Sequence, residues 1–563
     1  MKIKNFIFMF LEKSKIIIAV IALFAANCAF SQGVERPKLV VGIVVDQMRW
    51  DYLYRFYDRY GNRGFRRMIN EGFSCENTTI NYLPTFTAVG HTSIYTGSVP
   101  SLHGIAGNDF FIKSTGKEIH AIQDDSAKCV GNGNKEADSG KYSAVNIKVT
   151  TLTDELKFAT NFRSKVISIA IKDRGSILPA GHTADAAYWF DKDAEKWITS
   201  TKYRDTLPEW LTDYNRKQTW KKYVHQDWVP LFPIETYVQS TSDNNNYENM
   251  KFDKKNFDFK FPIHLEQIGK KIGDGNMICE TPFGNNMTLD VVRLAIENEQ
   301  LGADNITDFL SISFSSPDYV GHRFGPNSIK IEDNYLRLDK ELGDFLDFLD
   351  NKVGKGNYLV FLTADHAVAH NAQFLIDNKI SANNWNQYTC ADTLNYFLKN
   401  KNNIDSLVIN LDNYQVNFDI QRITNSNLNY AKIKEETIEF LSNFPEFQYV
   451  VDATNVWQAT IPDRIKEMIS NGYNREFSGD VQLILKAGYY TGSTRVGTTH
   501  GSWNPYDTHI PLLFFGWKIP HATTYTEVFS TDIAPTLAAL LQIQMPSGCI
   551  GTSIFGKAQI IKK

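Results

Sequence analysis

Short runs of apolar, mostly β-branched residues recur along this chain, and polar residues follow each of them. Five such runs stand out: Leu39–Val45, Val166–Ile171, Phe309–Phe314, Tyr358–Leu362 and Pro511–Phe515. Continuous apolar runs of this length are typical of strands that are buried on both faces of a parallel sheet. The pattern therefore predicts a central sheet with both faces covered.

Helical periodicity occupies the chain between these runs. Six apolar residues recur at alternating four- and three-residue steps: Ile331, Tyr335, Leu338, Leu342, Phe345 and Leu349. This spacing places them on one face of a helix and predicts a helix over Ile331–Asp350. Two more helices are predicted, over Met287–Glu299 with Asn286 or Thr288 as its cap, and over Thr531–Leu541. Strands that alternate with helices indicate an α/β/α sandwich around a mostly parallel sheet.

Two segments interrupt this alternation. Residues from about 200 to 284 are rich in Trp, Tyr, Asn and Lys, and residues from about 371 to 495 carry helices and strands of their own. We interpret both as inserted cap subdomains within one catalytic domain over residues 32–563. The tract Ser240–Phe259, which is dense in Asn, Asp and Lys, is interpreted as an exposed loop.

The N-terminal segment has the pattern of a signal peptide. Four lysines precede or flank the start of the apolar run Ile16–Ala26, and residues 29–31 read Ala-Phe-Ser, which suits cleavage. The run is short for a spanning helix, which needs about 20 residues. We predict a signal peptide over residues 1–31 and a periplasmic or extracellular protein, with an uncleaved anchor or lipid attachment at Cys28 as alternatives. No later segment is expected to cross a membrane.

Composition excludes several classes of protein. The chain of 563 residues is 43% hydrophobic and 22% charged, which is typical of a globular protein. Its formal net charge of −4 argues against a nucleic-acid partner, because such proteins usually carry a basic stripe. Six cysteines without a CxxC pair exclude a disulfide scaffold or a zinc ribbon.

Carboxylates and histidines follow the predicted strands. In chain order they are Asp46, Asp318, His322, Asp365, His366 and His500. Ligands of open α/β sheets bind beyond the carboxyl ends of the strands, so we expect these side chains to converge. Mixed Asp and His ligands favour zinc over calcium or copper. Three of each suffice for two metal ions.

The segment Pro84–Gly97 is dense in hydroxyl groups and is expected to open a helix. A hydroxyl at a helix N-terminus faces free backbone N–H groups and the positive end of the dipole, which suits attack on a phosphoryl group. Metal coordination would lower the pKa of such a hydroxyl further. Four candidates remain open on this argument, and the alternative is that the hydroxyl serves only to cap the helix: Thr85, Thr87, Thr92 and Ser93.

Several short motifs, in one order along the chain, carry a family resemblance. They are Asp46, Pro84–Ser93, Tyr95–Gly97, Pro100, His103–Gly104, Asp318-x-x-x-His322, Asp365-His366 and Thr499–Gly501. Together they resemble the alkaline phosphatase superfamily and imply its fold, and the stretch from Thr87 to Gly104 is similar to its nucleotide pyrophosphatase/phosphodiesterase branch. Asn108 and the segment Ile171–Gly175 extend the resemblance to the PafA-type alkaline phosphatases of Bacteroidetes.

The resemblance implies a role for each of these residues. Thr87 is the expected nucleophile, which becomes a phosphothreonine. One zinc ion, which would stabilise the leaving-group oxygen, is expected on Asp318, His322 and His500. A second zinc ion, which would activate the nucleophile, is expected on Asp46, Asp365, His366 and Thr87. Three residues are expected to bind the transferred phosphoryl group: Asn108, Lys172 and Arg174.

Two additional cations favour a phosphate monoester, because a monoester is a dianion and a diester carries one charge. Lys172 and Arg174 are two positions apart, and on an extended segment such residues point the same way. We predict a secreted two-zinc alkaline phosphatase that releases inorganic phosphate from small monoesters such as sugar phosphates and nucleotides. The resemblance suggests phosphate scavenging as its role.

Other activities and other ligands are weighed against this prediction. A phosphodiesterase or nucleotide pyrophosphatase on the same scaffold is the alternative. A sulfatase would place a Cys or Ser in a C/S-x-P/A-x-R motif, where this chain has no cysteine, and a non-catalytic binding protein is not expected to keep the full ligand set.

His370 would share a helix face with His366, but it is interpreted as structural. The same interpretation is given to His91, His103, His182 and His509.

Overall fold

The structure, a computed structural model, describes residues 34–252, 254–557 and 561–562. At the centre of this described part is a mixed sheet of eleven strands. In chain order they are β1 (Leu39–Val45), β2 (Phe73–Cys75), β3 (Cys129–Val130), β4 (Val166–Ala170), β5 (Ala186–Asp191), β6 (Lys196–Ser200), β7 (Asp308–Phe314), β8 (Tyr358–Thr363), β9 (Leu512–Gly516), β10 (Ala522–Thr524) and β11 (Ile561–Lys562). The predicted signal peptide, with Cys28, lies outside the described residues.

Five neighbouring strands run parallel in the middle of the sheet, in the order β5-β4-β7-β1-β8. In their register Val45 of β1 lies opposite Phe314 of β7, and Val44 lies opposite Thr363 of β8. The carboxyl ends of these three strands therefore meet at one edge, which brings the residues that follow them together. The prediction of a mostly parallel central sheet is confirmed.

The run Pro511–Phe515 forms a strand as predicted, but β9 runs antiparallel to β8. The expectation of a parallel strand is wrong at this position. A continuous apolar run indicates that both faces of a strand are buried, and it carries no information about direction.

Helices cover both faces of the sheet. On one face Phe283–Asn298 and Ile329–Leu349 share an apolar cluster with one side of β1. On the other face Leu152–Ala159 and Ile533–Leu541 pack with its opposite side. The predicted α/β/α class is confirmed. Three further helices border the edge where the strands end: Thr87–Thr96, Asp173–Ala180 and Ser316–Phe324.

The helix predicted over Met287–Glu299 begins one turn earlier. It spans Phe283–Asn298 and follows directly after Pro282. The cap predicted at Asn286 or Thr288 is therefore wrong, because both residues lie inside the helix. Proline fixes a backbone angle that suits a helix start, and a search for polar caps overlooks it.

Two long connections between strands carry further elements. Residues 201–307 join β6 to β7 and include helices Glu209–Lys217, Leu265–Ile272 and Asp274–Cys279. Residues 364–511 join β8 to β9 and build a four-stranded antiparallel sheet from Val408–Asn410, Gln415–Phe418, Val481–Leu485 and Phe447–Asp452. This sheet packs with helices Gln387–Asn402 and Tyr430–Leu441 around an apolar cluster of its own.

The tract Ser240–Phe259 is anchored to the body of the protein, so its interpretation as a simple exposed loop is wrong. Nζ of the fully buried Lys330 lies 2.6 Å from Oδ1 of Asp243 and 2.7 Å from Oε2 of Glu248. The helix predicted from the sequence begins at Ile331, one residue after Lys330, and the pattern does not show that this lysine is buried or which acids neutralise it.

Within the described part of the chain, no helix combines the length and the apolar character that crossing a bilayer requires. The five cysteines of this part are free thiols, and only Cys549 is partly exposed.

Candidate active site

The predicted ligands gather at the edge where three parallel strands end. Asp46 directly follows β1, and Asp365 and His366 follow β8 after a single alanine. Asp318 lies in the helix Ser316–Phe324, which begins one residue after β7. His322 lies on the same helix one turn later, and His500 reaches the group from the connection before β9.

One candidate metal group consists of Asp318, His322 and His500, whose ligand atoms lie within 4.8 Å of one another. Nε2 of His322 is 3.2 Å from Oδ1 of Asp318, and Nε2 of His500 is 3.7 Å from the same oxygen. Asp318 and His322 are four residues apart on a helix, which places both side chains on one face. This is the combination that the sequence motifs suggest for one ion.

A second candidate group consists of Asp46, Asp318 and His366. The sequence motifs suggest Asp365 in place of Asp318 in this group. Oδ1 of Asp365 accepts backbone hydrogen bonds from Gln47 and His366, while Oδ2 lies 3.5 Å from Nε2 of His366. Asp365 therefore borders the second group, and Asp318 is common to both.

The three histidines present the same nitrogen to the site. Nδ1 of each ring bonds to a backbone carbonyl: that of Ala367 for His366, of Thr85 for His500 and of Thr498 for His322. A ring nitrogen that faces a carbonyl must carry the proton, so Nε2 of the neutral ring offers a lone pair. Such backbone bonds orient histidines that bind metals.

Lys172 is buried between two of the carboxylates. Its Nζ lies 2.8 Å from Oδ2 of Asp46, 2.6 Å from Oδ2 of Asp318 and 3.5 Å from Oγ1 of Thr87. Burial acts to lower the pKa of Lys172, but the charges of Asp318 and Asp46 outweigh it and raise the pKa above its ordinary value. The two carboxylates thus favour the charged form of the ammonium group beside Thr87.

The carboxylates carry more negative charge than Lys172 can balance. Burial, followed by the charge of Asp365, raises the pKa of Asp46 well above its ordinary value. Among the described residues, Oδ1 of Asp46 and Oδ2 of Asp365 have no hydrogen-bond partner of good geometry. Buried charges without partners are costly, and carboxylate oxygen with imidazole nitrogen is a donor set that zinc accepts. The residues therefore fit a pair of divalent cations.

Thr87 is the first residue of the helix Thr87–Thr96, and its hydroxyl faces this group. Oγ1 lies 3.4 Å from Nε2 of His366. The other hydroxyls of the segment bond elsewhere: Thr85 to the carbonyl of Ser502, Thr92 to the carbonyl of Ala88 and Ser93 to His103. Of the four hydroxyls that the sequence leaves open, the structure brings Thr87 to the site.

Asn108 contacts the start of this helix, and Arg174 lies in the first turn of the helix Asp173–Ala180. Oδ1 of Asn108 accepts the backbone N–H of Ala88 at 2.9 Å, which leaves its amide N–H₂ group to donate. Burial acts to lower the pKa of Arg174, but Asp173 and the more distant Asp46 and Asp318 raise it.

The reasoning that placed Lys172 and Arg174 together on an extended strand is wrong. β4 ends at Ala170, Lys172 precedes the helix Asp173–Ala180, and Arg174 lies in its first turn.

Four of the five histidines that are interpreted as structural pack away from the ligand groups. His370 contacts Asn327 and Arg49, and it lies on irregular backbone, so no helix aligns it with His366. The remaining three bond to protein groups: His103 to Ser93, His182 to Asp154 and His509 to the carbonyl of Glu76.

Comparison with known proteins places this geometry in a family. A family model for type I phosphodiesterase/nucleotide pyrophosphatase matches residues 40–507, a range that contains every site residue named above. The chain belongs to this family.

Within the phosphodiesterase/nucleotide pyrophosphatase family the chain is similar to named alkaline phosphatases. PhoV of Synechococcus elongatus is 50% identical over 93% of this chain and 94% of PhoV. PafA of Elizabethkingia meningoseptica is 46% identical over 93% of this chain and 95% of PafA. A protein of Myroides odoratus named a calcium-transporting ATPase is 48% identical over 96% of this chain and 98% of the relative.

Solved structures agree with these similarities. The crystal structure of wild-type PafA matches with a TM-score of 0.89 over 93% of this chain and 99% of that one. A variant of PafA with one threonine, one asparagine, one lysine and one arginine substituted matches equally well, with a TM-score of 0.89. The resemblance to PafA-type alkaline phosphatases is confirmed, and with it the enzyme class, a hydrolase of phosphate monoesters.

Gln47 is a site residue of this family member that the motifs do not reveal. Its backbone N–H bonds to Oδ1 of Asp365 at 3.1 Å, and its Nε2 donates to Oδ1 of Asp318 at 2.7 Å. The residue adopts a φ of 67°, a left-handed conformation that is unfavourable for a side chain of this size. In the sequence, its position directly after Asp46 is the only sign that Gln47 belongs to the site.

His91 and Tyr414 also contact the site, although neither is predicted to bind a metal ion. Nδ1 of His91 donates to the carbonyl of Thr87 at 2.9 Å and lies 3.4 Å from Oδ2 of Asp365. Tyr414, in the second connection, donates from its hydroxyl to the carbonyl of His500 at 3.0 Å. No local pattern could reveal Tyr414, because the contact forms only when distant parts of the chain meet.

Proposed function

We propose that this protein is a secreted alkaline phosphatase that cleaves phosphate monoesters through a phosphothreonine at Thr87, with two zinc ions. The observation that carries the proposal is the position of the Thr87 hydroxyl, 3.4 Å from His366 and 3.5 Å from Lys172. A nucleophile for a dianion needs neighbouring positive charge, and Lys172 supplies it beside Thr87.

The donor set supports one ion on Asp318, His322 and His500 and the other on Asp46, Asp365, His366 and Thr87. When bound, the two ions would supply charge stabilisation for the leaving oxygen and a lower pKa for the nucleophilic hydroxyl. The chain's own residues hold these positions, because each histidine is fixed by a backbone carbonyl and Asp318 is fixed by Gln47.

The reaction consists of two in-line displacements. In the first, Oγ1 of Thr87 loses its proton and bonds to phosphorus, while the bond from phosphorus to the leaving oxygen breaks and that oxygen gains a proton as the alcohol departs. In the second, water replaces Thr87 on phosphorus, which releases inorganic phosphate and restores the hydroxyl. The transition states are loose, so positioning and charge carry the catalysis.

Three residues are proposed to bind the phosphoryl oxygens: Asn108, Lys172 and Arg174. The substituted PafA supports this assignment, because its threonine, asparagine, lysine and arginine are the same four residue types in the same order as Thr87 and these three. Lys172 must exchange part of its pairing with Asp46 and Asp318 for the substrate. Cations bound by those carboxylates would release it for that purpose.

The name of the Myroides relative does not require different chemistry. Hydrolysis of ATP transfers its terminal phosphoryl group to water. A terminal phosphoryl group is also what this site is proposed to bind. Diester cleavage remains the second candidate, because the family also contains phosphodiesterases. The positive side chain of Lys172 beside Thr87 favours the dianion, and Arg174 is proposed to add a second positive charge.

The test compares p-nitrophenyl phosphate with bis-p-nitrophenyl phosphate on one purified sample at alkaline pH. We expect kcat/KM to be higher for the monoester, activity to fall with EDTA and zinc to restore it. Thr87→Ala should abolish turnover, while Thr92→Val, which removes a hydroxyl bonded within the helix, should not. Turnover that survives complete metal removal, or in Thr87→Ala, would overturn the proposal.

We further propose that the protein is exported and that it releases phosphate from monoesters outside the cytoplasm for the cell to take up. A signal peptide over residues 1–31 predicts a mature protein that begins at Gln32 in the periplasm or medium. Mass spectrometry of the protein from each cell fraction tests this, and an intact N-terminus in the cytoplasm would contradict it.

A further inference from the structure

A cavity of about 340 Å³ opens beside His322. His322 belongs both to a metal group and to the lining of this cavity, and its side chain is 36% exposed, whereas that of His500 is 5% and that of His366 is fully buried. The exposed side of the ligand group therefore faces this cavity. It is the side from which a bulky group on the leaving oxygen would project.

Both long connections of the fold contribute walls. Asn249 comes from the first connection, Asn384 and the segment Tyr490–Thr494 come from the second, and Tyr319 comes from the helix that carries His322. Nζ of Lys172 lies 5.3 Å from the centre of the Tyr319 ring, so this ring stands between the phosphoryl-binding lysine and the cavity.

The lining is polar but nearly free of unpaired charge. Its charged residues Glu280 and Arg323 bond to each other, and Arg323 also donates to the carbonyls of Asn249 and Lys251. The remaining polar groups are amides and hydroxyls, such as those of Asn384, Thr491 and Ser493. Neutral donors and acceptors of this kind suit hydroxyl groups.

Asn384 provides a second observation that points to a ligand. Both polar atoms of its side-chain amide are shielded from solvent, and a contact with the hydroxyl of Tyr490 leaves most of the amide's donor and acceptor capacity unused. Polar atoms left in this state cost free energy unless a ligand or a small movement satisfies them.

We propose that this cavity binds the leaving alcohol and that it favours an uncharged, polyhydroxylated alcohol, such as a sugar or a polyol. The proposal rests on the proposed function, since it needs Thr87 attack with the leaving oxygen on the His322 side. In-line displacement sends the leaving group away from the nucleophile. The segment Tyr490–Thr494 and Asn384 then donate to and accept from its hydroxyls.

The test measures kcat/KM for glucose 6-phosphate and for p-nitrophenyl phosphate, whose leaving group has no hydroxyl besides the one released. Asn384→Ala and Ser493→Ala should each lower kcat/KM for the sugar phosphate about 3- to 10-fold, the value of one or two uncharged hydrogen bonds. Turnover of p-nitrophenyl phosphate should stay within about 2-fold. Asn383→Ala is the matched control, because Asn383 precedes Asn384 on the same strand and bonds to Arg495 instead.

The outcomes separate this proposal from the proposed function. Equal losses on both substrates, or no loss on either, would overturn the alcohol site while wild-type monoester turnover still supports the phosphatase. A wild-type enzyme that cleaves neither monoester would overturn the proposed function itself. A selective loss on the sugar phosphate in the Asn384 and Ser493 variants, absent from Asn383→Ala, would support the alcohol site.

Discussion

Gly90 packs directly against the carbonyl oxygen of Asp365. A Cβ atom added at Gly90 would lie well inside van der Waals contact of that oxygen. The helix that begins at Thr87 therefore approaches the ligand segment as closely as backbone allows, and the distance from Thr87 to His366 depends on this contact. The backbone of Gly90 does not have a positive φ, so its conformation does not require glycine. Glycine is needed here because a side chain would not fit against Asp365.

We expect Gly90→Ala to push this helix away from Asp365. Overpacking of this kind destabilises a protein by about 1–3 kcal/mol, and the displacement of Thr87 should reduce kcat/KM more than the stability loss alone. Urea unfolding and steady-state kinetics measure the two effects. Gly556→Ala is the control, because a Cβ there meets no atom within 4 Å. Equal behaviour of the two variants would contradict the role of this contact.

Gln47 connects ligands of both metal groups, so its side chain should matter for metal affinity. Loss of such a supporting hydrogen bond typically costs about 10- to 100-fold in metal affinity or activity. We expect Gln47→Ala to weaken zinc binding in this range, as measured by competition with a chromophoric chelator. Gln373, whose side chain bonds to Asp377 at the surface, provides the control variant Gln373→Ala. Unchanged zinc affinity in Gln47→Ala would refute the positioning role.

Lys172 should distinguish a monoester from a diester. Removing one preorganised positive group costs about 100- to 1,000-fold when it stabilises developing charge, and we expect Lys172→Ala to lose this much kcat/KM for p-nitrophenyl phosphate. The loss for bis-p-nitrophenyl phosphate should be smaller, because the diester carries one charge less. Lys192 also lies over the Tyr319 ring, at 5.4 Å, so Lys192→Ala controls for contact with that ring. Equal losses on both esters would show that Lys172 does not select the dianion.

The pair of His182 and Asp154 makes stability depend on pH. The hydrogen bond that Nδ1 of His182 donates to Oδ2 of Asp154 outweighs burial and raises the pKa of His182 above its ordinary value of 6.5. A raised pKa means that the folded state holds the proton more tightly, so the stabilisation is complete below pH 6.5 and is lost as pH rises through the raised pKa. We expect His182→Asn to lower the urea midpoint more at pH 5.5 than at pH 9.

The control for this pH effect is His225→Asn, at a histidine whose side chain is 47% exposed beside Asp274. Solvent screens such an exposed pair. If the His182→Asn difference were the same at both pH values, the linkage to the protonated imidazole would be excluded.

The sequence predicts the frame of the site because strand burial and strand ends leave strong local signals. The run Leu39–Val45 ends at Asp46, and the parallel register then brings Asp318 and Asp365 beside it. The motifs also identify Thr87 as a candidate, but three neighbouring hydroxyls have the same local chemistry. Only the tertiary structure shows that those three bond elsewhere.

Other contacts leave no local signal. The left-handed backbone of Gln47, the reach of Tyr414 to the carbonyl of His500 and the burial of Lys330 each depend on residues far away in the chain. The direction of β9 is set by the path of the connection that precedes it. Hydrophobic periodicity indicates only which apolar positions are buried. It therefore cannot predict these long-range contacts or the direction of a strand.

Asp318 belongs to both candidate metal groups, and this shared carboxylate has a thermodynamic consequence. The proposed ligand sets give Asp318 to one ion only, but its carboxylate faces both sites, so the charge of each cation acts on the other. The factor by which the first cation changes the affinity for the second must equal the reverse factor. A titration of the metal-free protein should therefore not separate into two unrelated affinities, and the enzyme would respond to falling metal supply as one coupled unit.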